Sequence, residues 1–159
     1  MHKTITRILL FLLAFMIVFS CIYSVFAAGI SEEDMTAASI LLMQAETGSV
    51  LYEKEADARR APASTTKLLT AVLALENMQL DDEVTVPPEA QTNGSNMGLK
   101  PGQVVTVETL LYGLMLSSGN DAAVTLAIAI AGTVEAFSAK MNEKAAELGM
   151  DSSHFVTAS

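Results

Sequence analysis

From Ile8 to Phe19 the chain is unbroken apolar sequence, and this run decides how much of the molecule is available to fold. Lys3 and Arg7 precede it, and small residues follow it in a stretch that ends Val25-Phe26-Ala27-Ala28. A charged start, a greasy centre and a small-residue end are the order of a secretory signal. Residues 1–27 are therefore expected to be a signal peptide cleaved after Ala27, placing the rest outside the cytoplasm. Two other readings compete for the segment. Ile8 to Ala28 is long enough to cross a bilayer as an uncleaved anchor. Cys21 follows a small residue and invites lipid attachment, although Phe19 two positions earlier fits such a site poorly.

Cys21 is the only cysteine. Once the signal is gone no internal disulfide is available, so the remainder must fold by burial alone. A chain of 159 residues, 51% hydrophobic, has enough apolar surface for one modest core, so one domain or part of one is expected. Of the nine basic residues, Lys3 and Arg7 lie in the signal, leaving seven against 18 acidic ones. That balance repels nucleic acid and anionic lipid, and neither is expected as a partner.

Residues 28–36 are small and acidic without apolar period, as in a mobile leader, and structure is expected from Ala37 onward. Ser39 to Gln44 and Ser49 to Lys54 flank Ala45-Glu46-Thr47-Gly48, the pattern of an antiparallel hairpin, and the run Ile40-Leu41-Leu42-Met43 predicts burial on both faces. Pro62-Ala63-Ser64 then sets up a helix from Thr65 to Met78, with Leu68, Leu69, Val72, Leu75 and Met78 as its core-facing stripe. Asp81 and Asp82 mark a turn, Glu83 to Val86 a short strand ended by Pro87-Pro88, and Gln91 to Gly102 a polar loop suited to line a cleft. Thr106 is placed to cap a helix from Val107 to Leu116. Ser117-Ser118-Gly119 interrupts it, and two more helices are predicted, Asn120 to Ala131 and Thr133 to Leu148, the second stopped by Gly149. His154-Phe155-Val156 is a candidate strand.

Ser64 and Lys67 stand three apart at a helix start, which brings hydroxyl and amine onto one face. A serine hydroxyl is a poor nucleophile at neutral pH and needs a base; a lysine serves if burial frees its lone pair. Alone the pair is weak, since Ser-x-x-Lys arises by chance in such a chain with odds of about one half. Taken by itself the pair is better explained as a capping serine with a surface lysine. Ser118-Gly119-Asn120 has its own plain explanation, as caps for the helix beginning near Asp121. His154 is the sole histidine outside the signal, and no carboxylate stands at a ligand spacing from it, so no metal site is expected.

The two motifs together, in this order, are two of the three that mark penicillin-binding proteins and class A β-lactamases. Their flanks, Ala61-Pro62-Ala63-Ser64-Thr65-Thr66-Lys67-Leu68-Leu69-Thr70-Ala71 and Leu111 through Ala123, resemble the low-molecular-mass D-alanyl-D-alanine carboxypeptidases, as does Met141 through Met150. The resemblance spans residues 37–159. Gly119 departs from class A β-lactamases, which usually carry aspartate there and use a downstream glutamate for deacylation, so β-lactamase is the poorer fit.

The resemblance implies an α+β (α/β) serine DD-peptidase/β-lactamase-like fold, an antiparallel sheet with a helical subdomain. It implies that Ser64 attacks the penultimate D-alanine carbonyl of a peptidoglycan stem peptide, that Lys67 takes its proton, that Ser118 relays a proton to the leaving amine, and that Asn120 holds substrate and orients Lys67. Penicillins and other β-lactams would acylate the same serine, and no cofactor is implied. Membrane attachment would run through the N-terminal segment or a C-terminal anchor of the kind relatives carry. No Lys-Thr-Gly follows Asn120 before the sequence stops at Thr157-Ala158-Ser159, so this polypeptide is expected to be an incomplete catalytic domain of weak or no activity. A non-catalytic wall-binding product is the alternative.

Overall fold

The computed structural model describes Phe15 and residues 35–159. Apart from Phe15, the expected signal lies outside the described residues, and so does most of the leader. The chain divides into two compact units, residues 1–59 and 60–159.

In the first unit β1 (Ile40–Met43) and β2 (Val50–Lys54) pair antiparallel, with Ile40 opposite Lys54 and Leu42 opposite Tyr52. Gly48, at φ 69°, makes the turn that the hairpin pattern required, and its N–H donates to Gln44 O at 2.9 Å. Burial of β1 on both faces is not observed: Leu41, Leu42 and Met43 are all exposed. An apolar run is hidden on both faces only where layers cover both sides of a sheet, and this sheet has two strands.

The second unit holds α1 (Thr66–Asn77), β3 (Glu83–Thr85), β4 (Val104–Thr106), α2 (Val107–Leu116), α3 (Asn120–Ala131) and α4 (Val134–Glu147). Strands β3 and β4 pair antiparallel, Val84 opposite Val105, so the class is α+β as expected. The β-branched Val104-Val105-Thr106 was not read as a strand; its partner across the loop makes it one. Thr106 caps α2 as its position promised, its hydroxyl accepting from Thr109 N–H at 3.2 Å, and Thr133 caps α4 in the same way. The next two N–H groups of α2, from Val107 and Glu108, donate to Asp82 O and Leu80 O, which ties the turn after α1 to the start of α2.

Helix α3 packs against α1, α2 and α4 and is buried from Asp121 to Ala127. Around it lie Leu69, Leu73, Leu110, Leu114, Phe137 and Met141, and Leu126 is its own largest contribution to the cluster. The predicted stripe of α1 is only partly right: Leu69 is buried and Met78 packs partly buried against the core, but Leu68, Val72 and Leu75 are exposed, while Thr66, Lys67, Thr70, Leu73 and Ala74 are buried as well. Apolar residues lie all round this helix, so periodicity alone does not choose a face. Thr66, Thr70 and Ala74 form a row of small side chains at four-residue steps on the buried face.

Thr70 Oγ1 donates to Ala158 O at 2.7 Å, both residues being fully buried. Thr70→Val keeps the volume but orphans that carbonyl, and is expected to cost about 1–3 kcal/mol in denaturant unfolding. The expected strand at His154–Val156 is absent. Asn142 replaces a ladder there: its Oδ1 accepts from Phe155 N–H and its Nδ2 donates to Phe155 O, both at 2.8 Å. No single described helix is long and apolar enough to cross a membrane.

Candidate active site

Ser64 sits in a 3-10 turn, Ala63–Thr65, wedged between Pro62 and the start of α1. Thr65 closes that turn with both its N–H and its hydroxyl on Pro62 O, at 3.2 and 2.6 Å. Ala63 before it has φ 47°, and Ser118 has φ 50°. Side chains in the left-handed region cost on the order of 1 kcal/mol or more, and such positions gather where function constrains the backbone. Of the three non-glycine residues of positive φ among the described residues, two flank this site.

The four side chains singled out in the sequence converge. Lys67 Nζ donates to Asn120 Oδ1 at 2.7 Å, to Ser118 Oγ at 3.2 Å and to Ser64 Oγ at 3.4 Å. Ser118 Oγ donates to Ser64 Oγ at 2.8 Å. These contacts rule against the capping alternatives. Neither the short turn nor α1 has a side-chain N-cap bond, Lys67 is only 4% exposed, and α3 is capped by Gly119 with Asn120 as its first helical residue.

Burial pushes the Lys67 ammonium below the usual lysine range. Its partners are all uncharged, so no carboxylate among them restores the charged form. A lysine placed this way has three N–H donors for three acceptors when protonated. With one proton fewer, an amine so placed can keep the short bond to Asn120 and offer a lone pair to Ser64, the longest of the three contacts. The cluster lies in a cleft of about 420 Å³ whose lining includes Pro62, Ser64, Lys67, Asn120, His154 and Thr157. His154 lies exposed on this wall.

Sequence reasoning missed the support beneath the site. Asp121, noted only as a helix start, is buried and receives backbone N–H groups from residues 97–99 of the polar loop. The signal was there: an acid in the first turn of a helix, following a long loop whose N–H groups needed partners. Gly119 also has a reason. A Cβ at this position would fall 2.8 Å from Asp121 Oδ1 and 3.2 Å from Gly113 O, so the aspartate that class A β-lactamases usually carry does not fit this packing.

A family model described as D-alanyl-D-alanine carboxypeptidase matches residues 26–159. The chain is 41% identical over 131 residues to D-alanyl-D-alanine carboxypeptidase DacF of Bacillus subtilis, covering 79% of this chain and 34% of that protein. Among solved structures, D-alanyl-D-alanine carboxypeptidase DacD from Francisella tularensis superposes with a TM-score of 0.76 at 38% identity, over 82% of this chain and 32% of that one. Penicillin binding protein 6B from Escherichia coli gives 0.74 at 36% identity, over 84% and 45%. The chain thus spans between about a third and a half of the length of these relatives. The match runs through the Ser64 turn, the polar loop and the start of α3, and the chain belongs to the D-alanyl-D-alanine carboxypeptidase family.

Proposed function

We propose that this chain carries the nucleophile side of a serine D-Ala-D-Ala carboxypeptidase, exported by its N-terminal signal to act on peptidoglycan stem peptides. The observation that carries this reading is Lys67: a buried amine 3.4 Å from the Ser64 hydroxyl, with uncharged partners and a depressed proton affinity. Ser64 Oγ attacks the carbonyl carbon of the penultimate D-alanine, and its proton passes to Lys67 Nζ. The C–N bond to the terminal D-alanine breaks, and the leaving amine takes a proton delivered through Ser118, which already bridges Lys67 and Ser64. Water then attacks the ester carbonyl, giving up its proton to Lys67; the C–O bond to Ser64 breaks, Lys67 returns that proton to Ser64 Oγ, and the shortened peptide departs. Asn120 fixes the amine from the far side. The N–H of Ser64 stabilises the developing oxyanion, and the positive end of α1 adds to it.

β-Lactams fit the same step, because their strained amide presents an equivalent carbonyl to Ser64; a relative that superposes here is named as a penicillin binding protein. The test is covalent labelling with a fluorescent penicillin, applied to the 159-residue chain, to the same chain extended through the coding sequence after Ser159, and to Ser64→Ala in both. Label on Ser64 in the extended chain, lost in Ser64→Ala, is the expected result. Equal labelling with and without the Ser64 hydroxyl refutes the nucleophile assignment.

A further inference from the structure

Asp121 is the single acidic side chain buried among the described residues, 2% exposed, and no cation there pairs with it. Backbone N–H groups neutralise it instead. Oδ1 accepts from Met97 at 3.0 Å and Ala122 at 2.9 Å, and Oδ2 accepts from Gly98 and Leu99, each at 2.9 Å. Four converging donors call for a group with acceptors only, which a carboxylate is and a carboxamide is not.

The same stretch of loop is tied to the start of α3 at further points. Asp121 N–H donates to Asn96 Oδ1 at 3.1 Å, and Asn96 Nδ2 donates to Thr92 O and Gly94 O. Asn120 N–H donates to Ser95 O at 2.8 Å. Asn120 Nδ2 donates to Asn93 O at 2.8 Å, which leaves Oδ1 as the end of that carboxamide available to Lys67. Gly94, at φ 90°, passes so close that a Cβ on it would sit 3.0 Å from Asn120 Nδ2.

We infer that Asp121 is a positioning residue: by holding residues 97–99, which continue the stretch that begins at Asn93, against the first turn of α3 it fixes which end of the Asn120 carboxamide faces Lys67. The inference rests on the reading of Ser64 and Lys67 as nucleophile and base. Its consequence for titration has a definite sign. The groups facing Lys67 are Ser64, Ser118 and Asn120, and the strongest acceptor is Asn120 Oδ1. If the loop is released and the carboxamide turns, an NH₂ faces the ammonium, and the protonated lysine loses support. Lys67 then titrates at lower pH, and the acid limb of the acylation profile moves with it, while the maximal rate falls because the amine is no longer aimed at Ser64.

Asp121→Asn and Gly94→Ala test this from the two ends of the linkage, on the full-length gene product. Two quantities are followed: the Lys67 titration by NMR of ¹³Cε-labelled lysine, assigned with Lys67→Met, and penicillin acylation per folded molecule against pH. Asp121→Asn is expected to lower the Lys67 midpoint by roughly half a pH unit or more and to slow acylation about tenfold or more. Gly94→Ala is expected to shift the midpoint in the same direction with Asp121 intact. A lower melting temperature with an unchanged Lys67 midpoint and unchanged acylation per folded molecule would reduce Asp121 to a structural cap and overturn the inference. Should Asp121→Asn fail to fold, an unshifted midpoint in Gly94→Ala overturns it as well. A shifted Lys67 midpoint in a protein whose Ser64 is never acylated supports the positioning role and refutes the peptidase reading instead.

Discussion

Lys67→Met is expected, on the base role proposed for Lys67, to slow acylation of Ser64 by a penicillin about 10²–10⁴-fold, the range that loss of a positioned general base commands. Methionine follows the path of the lysine stem and fills most of its space, so the cleft keeps its shape while the proton acceptor is lost. The same replacement is expected to leave the melting temperature unchanged or raise it. Lys67 is buried with no counter-ion among its partners, and its proton affinity is already depressed by burial. At neutral pH the unfolded chain holds that proton more tightly than the folded one, so the charged lysine opposes folding there, and the opposition eases as pH rises toward the unfolded value. A thioether carries no such penalty. Calorimetry and stopped-flow acylation on one preparation decide the matter: a large drop in melting temperature alongside the lost rate would show that Lys67 holds the fold together.

Phe137→Ala is expected to destabilise the second unit by about 3–5 kcal/mol, a large part of the roughly 5–15 kcal/mol available to a domain. Phe137 is fully buried in α4 and belongs to the same cluster as Leu110, Leu114, Leu126 and Met141, all buried as deeply. Truncation leaves a cavity that these neighbours, anchored on three different helices, collapse into only partly. No site residue lies on α4, so penicillin labelling per folded molecule should change little. Urea unfolding gives the first number, and a loss below about 1 kcal/mol would mean that the cluster repacks freely.

Caps and stops were the most legible part of the fold. Thr106 and Thr133 start their helices and Gly132 and Gly149 end theirs with positive φ, because a missing N–H partner or a left-handed residue is a local requirement that local sequence meets. What depends on the neighbour was less legible. The apolar residues of α1 lie on every side, and the buried face takes in Thr66, Thr70 and Ala74 alongside Leu69 and Leu73, a choice set by what the folded chain packs against it, as where Thr70 meets Ala158. Phe155 was read as strand, yet its backbone bonds end on a side chain thirteen residues earlier, a contact no period announces.

The site divides in the same way. The order Ser64, Lys67, Ser118, Asn120 was sufficient to single out the candidates, since a serine and a lysine three apart on a helix start are neighbours by helix geometry alone. Only the tertiary structure placed Ser118 and Asn120, more than fifty residues later, within 3.2 and 2.7 Å of the lysine, and only it removed that lysine from water. The depressed proton affinity of Lys67 is therefore a property of packing, because desolvation has no local sequence signature. Asp121 shows the same limit from below: its identity was readable at a helix start, but the four N–H groups that occupy it come mostly from a loop whose path is set by the folded chain.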